Sequence, residues 1–401
     1  MKVLQINKFL YPKGGAETYM FQLSNALKEN GIDIEFWGME DQKNIVTDTY
    51  QSFAKNISYK EISLFKIISN TPRTIYSFDN KKRISKILDH FKPDIVHLHN
   101  YNFQLTPSIL PEIKKRGIKI IQTIHDAQMV CPYHRLYNFQ NNTICTKCIT
   151  GSFLNCIGDK CFDGSFFKSV VGASESYYYH TFKYYEKYID RYISPSKFLA
   201  ELIKKRVKEH TFEILTNFSN KLEDLEANKA DYYLYFGRIN NEKGILELVD
   251  IFEELKLNLI IIGSGDQEDK LKNRIIDIKN ISFLGPKSKR ELFSYVANAK
   301  YVVQPSKWYE NCPMTVIESF TYDTPVIASN HSGFKDLIQH KKTGYLLDFT
   351  DLKKAKKSIL EIDKEDVNIL KQNINKFYQK NLKKEIHISK IIDIYKQLLL
   401  K

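Results

Sequence analysis

The sequence predicts an α/β protein built from two doubly wound, parallel-sheet domains. Three observations carry this. Short β-branched runs alternate with helix-length amphipathic segments. The alternation lapses at a polar stretch and then starts afresh. The 401 residues also exceed what a single core comfortably organises.

The first βαβ unit is read from Lys2–Asn7, a helix over about 16–30 and a second strand over Asp33–Trp37. Met20, Leu23, Ala26 and Leu27 recur at helical spacing, and Gly31 supplies the stop. Strands follow at Asp94–His99 and Ile118–Thr123. A loop-like insert carrying cysteines then interrupts the pattern over about 126–168, before a Tyr-rich helix over Tyr177–Tyr188. Ser219–Asp231 reads as a linker. Strands at Tyr232–Phe236, Leu257–Ile262, Ile281–Leu284, Tyr301–Val303 and Pro325–Ala328 make the second set. The expected domains are residues 1–220 and 231–380. A last helix over 381–401 is expected to cross back to the first domain.

Hydrophobic residues at 43% and charged residues at 27% describe a globular chain rather than a disordered one. The longest apolar run, Leu257–Ile262, is too short to span a bilayer, and the N-terminus shows no secretory pattern. The cytoplasm is therefore the expected compartment. The net charge of +13 favours an anionic partner: nucleic acid, a phosphorylated small molecule or an anionic membrane face. A Lys- and Asn-rich coding bias would give the same charge.

Ligands of parallel sheets bind beyond the carboxyl ends of the strands, and unusual residues gather there. Gly14-Gly15 precedes the first helix, where backbone amides can approach an anion. The pair also reads as a plain turn. His97, His99 and Asn100 end one strand, and His125-Asp126 ends the next. In the second half, Arg238 ends a strand and Lys243 opens the next helix, a placement suited to a departing diphosphate. Glu310 and Glu318 stand eight residues apart, with Pro313 expected in the first turn of the helix that carries Glu318. Glu318, flanked by Val316, Ile317 and Phe320, suits a pair of ribose hydroxyls.

Gly14-Gly15-Ala16-Glu17, His125-Asp126, Gly237-Arg238 with Glu242-Lys243-Gly244, Gly263-Ser264-Gly265, Phe283-Leu284-Gly285, Glu310…Glu318 and Thr324-Pro325-Val326-Ile327 occur in that order. Together they resemble a retaining glycosyltransferase of family 4, of the bacterial surface-polysaccharide type. The resemblance implies the GT-B fold, two Rossmann-like domains facing across a cleft. It also implies metal-independent transfer from a nucleotide-sugar donor to a glycan, lipid-linked by expectation, and the absence of an Asp-x-Asp pair agrees. Arg238 and Lys243 would bind the diphosphate, and Glu310 a donor-sugar hydroxyl. Asn311, Cys312 and Met314 would offer backbone amides, Glu318 would bind the ribose, and Leu284, Gly285 and Pro286 the base. Gly14 and Gly15 would approach the phosphate, and His125 would face the transferred sugar. An epimerase or phosphorylase of the same fold is the alternative, and a zinc-containing nucleic-acid-binding protein is the alternative of another class. Nucleic acid is not the expected partner.

Cys145-x2-Cys148 and Cys156-x4-Cys161 provide four thiols that point to a structural zinc, with no cofactor expected for catalysis. Reduced, unliganded cysteines are the competing reading. The tyrosines and lysines of 177–187 suit a membrane interface, a sugar-lined acceptor groove or a helix packed between sheet and insert.

Overall fold

The structure is a computed structural model that describes residues 1–56, 72–208, 210–222, 225 and 230–400. The chain divides into two compact units. The first comprises Met1–Asn141, Cys145–Leu215 and Ile388–Lys401, and the second Asn142–Ile144 and Thr216–His387.

The first unit has six parallel strands: β1 (Lys2–Ile6), β2 (Asp33–Trp37), β3 (Ile95–Leu98), β4 (Lys119–Thr123), β5 (Arg191–Ser194) and β6 (Phe212–Ile214). They lie in the order β2-β1-β3-β4-β5-β6, so the strand order reverses between β1 and β3. β3 and β5 are buried along their whole length, as strands covered on both faces must be. From Ile388 on, the helix Lys384–Leu399 belongs to this unit. Its Tyr395 hydroxyl lies 2.6 Å from Nδ1 of His97, and Gln397 Oε1 accepts from Arg191 at 3.2 Å.

The second unit repeats the plan with β7 (Tyr233–Arg238), β8 (Leu259–Ser264), β9 (Ile281–Phe283), β10 (Tyr301–Gln304), β11 (Val326–Ser329) and β12 (Gly344–Leu347). The order is β9-β8-β7-β10-β11-β12, that of a dinucleotide-binding sheet. Alternation along β7 divides the core in two. Tyr233 and Tyr235 enter one apolar cluster, while Leu234 and Phe236 enter the other. Helix starts carry their own signals: Ser288 and Glu291 form a reciprocal capping box at Lys289–Asn298.

Several elements differ from expectation. The Tyr-rich stretch is two helices, Phe166–Thr181 and Tyr184–Tyr188, broken where Lys183 takes a left-handed conformation. Most of its rings are structural: Tyr179, Tyr184 and Tyr185 are buried, while Tyr177 and Phe182 are exposed. The insert has an apolar core of Cys148, Phe153, Cys156 and Ala173, more than loop-like spacing suggested. In the expected linker, Leu222 and Leu225 pack on the second unit's core, and Leu222 N–H donates to Tyr322 at 3.0 Å. Its residues 223, 224 and 226–229 lie outside the described residues. Among the described residues, no helix is long and apolar enough to cross a membrane.

Candidate active site

The second unit opens at its strand reversal. β7 and β10 pair only at Tyr233–Tyr301 and Leu234–Val302, and then part. Gln304 bridges the widening gap with its side-chain amide, which donates to the Phe236 carbonyl at 3.0 Å. Beyond this point β7 delivers Arg238, and the loop after β10 delivers Ser306, Trp308 and Glu310.

Lys243 closes a short helical turn, Asn241–Lys243, before Gly244. Gly244 adopts φ +71°, and a Cβ there would sit 2.3 Å from the Pro305 carbonyl oxygen. Only glycine lets this turn press against the β10 loop. Lys243 Nζ thereby reaches Oε1 of Glu310 at 2.5 Å. The same oxygen accepts from Ser306 Oγ and from the Trp308 indole N–H, each at 2.9 Å. Arg238 and Lys243 lie over the Trp308 ring, at 5.2 and 5.1 Å from its centroid. Each such cation–ring contact is worth about 0.5–2 kcal/mol, the upper end when desolvated. Arg238 is half exposed and also approaches buried Glu242 at 3.7 Å.

A second loop braces the first. Ser332 Oγ accepts from the Glu310 N–H at 3.0 Å, and Gly333 N–H donates to the Glu310 carbonyl at 2.9 Å. A Cβ at Gly333 would collide with the Asn311 carbonyl oxygen, at 1.6 Å. His331 Nε2 donates to the Ser306 carbonyl at 3.0 Å.

The two glutamates occupy different environments. Burial alone would raise the Glu310 pKa, but the Lys243 ammonium and the hydrogen bonds from Trp308 and Ser306 hold it below the usual range, so it is ionised. Glu318 has only distant help from Lys289, and burial pushes it up to about 7. It is the fifth residue of the helix Met314–Thr321. Pro313 is the residue before that helix, not in its first turn: its ψ of 108° is extended. Cys312 and Met314 pack partly against the core, and burial pushes the Cys312 thiol up to about 12. Leu284 and Gly285 follow β9, with the Gly285 carbonyl accepting from Gly263 N–H at 3.1 Å, and Pro286 comes next.

The first unit's strand reversal holds a different assembly. Gly14 precedes the helix Gly15–Glu29, and a Cβ at Gly15 would meet nothing within 4 Å, so the backbone is open to close approach. His99 Nε2 lies 2.8 Å from Oε1 of Gln5, so it carries the proton. Its Nδ1 therefore accepts from His125 Nε2 at 2.9 Å. Burial keeps both rings neutral, with His125 lowered to about 4. His97, expected at the strand end with them, lies instead inside β3, bonded to Tyr395 and Thr123. Lys8 was not anticipated: burial lowers its pKa against the opposing carboxylates of Asp126, Glu17 and Glu175. Glu175 was also missed. Wholly buried, it accepts from Phe103 N–H at 3.2 Å and from the Asn102 and Gln128 amides, tying together the loops after β3 and β4.

In the insert, Cys131, Cys145, Cys148, Cys156 and Cys161 line one small cavity. Cys156 donates to Cys161, which raises the first thiol's pKa and lowers the second's. Among the described residues, no three His, Cys, Asp or Glu side chains are arranged to hold a metal ion.

Residues 13–218 match Glycosyltransferase Family 4. The chain belongs to this family. Residues 218–381 match Glycosyl transferases group 1. An uncharacterized glycosyltransferase of Methanocaldococcus jannaschii is 26% identical over 54% of the chain and 62% of the relative, less than two thirds of its length. An uncharacterized 41.2 kDa protein in the cps region of Klebsiella pneumoniae is 24% identical over 96% of this chain and 97% of that one. An amylovoran biosynthesis glycosyltransferase of Erwinia amylovora is 26% identical over 38% of the chain and 40% of the relative. The fold of this family 4 member is shared with sucrose-phosphate synthase from Thermosynechococcus elongatus, at TM-score 0.73 and 16% identity, covering 100% and 99% of the two chains. It is shared also with Anabaena HepE in complex with UDP-glucose, at TM-score 0.61 and 14% identity, covering 99% and 100%. These are GT-B proteins, and two Rossmann-like sheets of that class are what this chain builds.

Proposed function

We propose that this family 4 member transfers a sugar, with retention of configuration and without a catalytic metal, from a nucleotide-sugar donor to a lipid-linked glycan during surface polysaccharide synthesis. The observation that carries the reading is the set Arg238, Lys243 and Glu310 gathered at the point where β7 and β10 part. Two cations there offset the charge that develops on a departing diphosphate, the role a divalent ion plays elsewhere. Glu310 takes a hydroxyl of the donor sugar, and Glu318 the ribose. Backbone groups of Leu284, Gly285 and Pro286 meet the base, and those of Asn311, Cys312 and Met314 the sugar and phosphate. In the first unit, Gly14 and Gly15 approach the phosphate and His125 faces the transferred sugar. The surface-polysaccharide assignment draws on the relatives named for the cps region and for amylovoran biosynthesis.

The test is to incubate the full chain with UDP-, GDP-, ADP- and CDP-sugars and lipid-linked glycan acceptors, following transfer and the anomeric configuration of the product by NMR. Transfer with retention in the presence of a chelator is expected. Hydrolysis or epimerisation alone, or inversion, overturns the reading.

Two further parts belong to the proposal. Cys145, Cys148, Cys156 and Cys161 draw together around one structural zinc, a reading supported by the shared cavity. Metal analysis of untagged protein should find about one zinc per chain, and folded, active, metal-free protein removes the idea. The +13 charge is proposed to favour peripheral contact with the anionic inner membrane face. That contact should fade with salt in vesicle co-sedimentation.

A further inference from the structure

Every donor that reaches Glu310 arrives at one atom. Lys243, Ser306 and Trp308 all address Oε1, and among the described residues none donates to Oε2. Among these contacts the carboxylate is fastened by one oxygen. Trp308 connects this arrangement to the cations. It is almost fully buried, its N–H holds the carboxylate, and its ring lies beneath both Arg238 and Lys243. Two positive groups and one negative group, from segments about seventy residues apart in sequence, are therefore registered on a single rigid ring.

We propose that Trp308 is a positioning residue of the donor site, holding Arg238 and Lys243 for the diphosphate and turning Oε2 of Glu310 toward the sugar. This rests on the donor-site reading above. An aromatic ring suits the task because it attracts cations through its face, and the indole N–H donates from its edge. The two functions separate by substitution. Trp308→Phe keeps a ring face and removes the N–H, whereas Trp308→Leu removes both.

Trp308→Phe is expected to lower kcat about tenfold with donor KM within about twofold. Trp308→Leu is expected to raise KM about tenfold as well. The protein also supplies an optical reading, since its only other tryptophan is Trp37, buried in β2 and bonded to the Ser52 carbonyl. In full-length Trp37→Phe protein, emission from Trp308 should change saturably on adding UDP, GDP, ADP or CDP. Its midpoint should match that from calorimetry on the wild type, and the response should vanish with Arg238→Ala. A nucleotide that binds by calorimetry without altering Trp308 emission overturns the proposal, and so does wild-type kcat in Trp308→Phe. Calorimetric silence with all four nucleotides overturns the donor-site reading instead. The Phe variant, made in the wild-type background, decides the matter even if Trp308→Leu or Trp37→Phe fails to fold.

Discussion

The two sheets reverse strand order at equivalent places, yet fill those places with different chemistry. At the first unit's reversal a neutral chain runs from Gln5 through His99 to His125. At the second, Lys243 and Glu310 meet as an ion pair beside Arg238, around an indole. The fold supplies the position, and the side chains decide whether it orients neutral hydroxyls or holds charge. Burying a neutral, hydrogen-bonded chain costs far less desolvation than burying a charge. The charged cluster tolerates burial because each member compensates another.

That contrast is open to attack, most forcefully through the cations. Replacing Arg238 or Lys243 with Ala should lower turnover by about 10² or more, as for other groups that stabilise a developing charge. Arg238→Lys should remain impaired, because an ammonium lacks the flat fork that lies on Trp308. A change in KM alone shows that the charges only bind. Next in size is Glu310→Ala, where loss of a charged hydrogen bond of about 1.5–3 kcal/mol predicts a fall of roughly 10–10² in kcat. Wild-type kinetics there breaks the site assignment.

The pH profile sharpens the comparison. His125 is held at about 4 and cannot give an inflection near neutrality, while Glu318 is raised to about 7. Only the ionised carboxylate accepts both ribose hydroxyls, so donor binding should tighten about tenfold from pH 6 to pH 8. Glu318→Gln should flatten the profile. His125→Asn should lower the rate and keep the inflection; an inflection lost with His125 reverses the two roles.

The smallest effect concerns stability. Burial raises Glu175 to about 8, against 4.5 for an unperturbed carboxyl. Between these values the folded state holds a proton that the unfolded state releases. Stability therefore falls as pH rises through this window and levels off above it. Glu175→Gln abolishes that slope. Its Tm relative to the wild type should climb by at least about 2–4 °C between pH 5.5 and 8.5. A constant offset shows that the carboxyl is ionised throughout.

The sequence revealed residues whose placement follows from strand ends. Arg238 ends β7 as expected, and Glu310 and Glu318 flank the start of a helix, because alternating pattern and turn chemistry are local properties. What escaped depends on contacts distant in the chain. Gln5 and His99 are 94 residues apart, and Ser332 lies 22 residues beyond Glu310. Trp308 is a near neighbour of Glu310, but nothing local says that its ring would lie beneath two cations. His97 was misplaced because a histidine near a strand end looks polar and accessible, whereas Tyr395 and Thr123 satisfy it inside the core. Cys131 falls outside the paired cysteine spacing, yet it lines the same cavity.

The bond between His97 and Tyr395 has a consequence for how the protein is made. The first unit holds a buried imidazole whose partner is encoded near the end of the chain. A ribosome that has finished Leu215 must still add Thr216–His387 of the second unit before Tyr395 emerges. At about 5–20 residues per second, that delay is roughly 10–40 s. During this interval the Tyr395 hydroxyl that meets Nδ1 of His97 in the finished fold is still to come. The half translated first is therefore the half completed last.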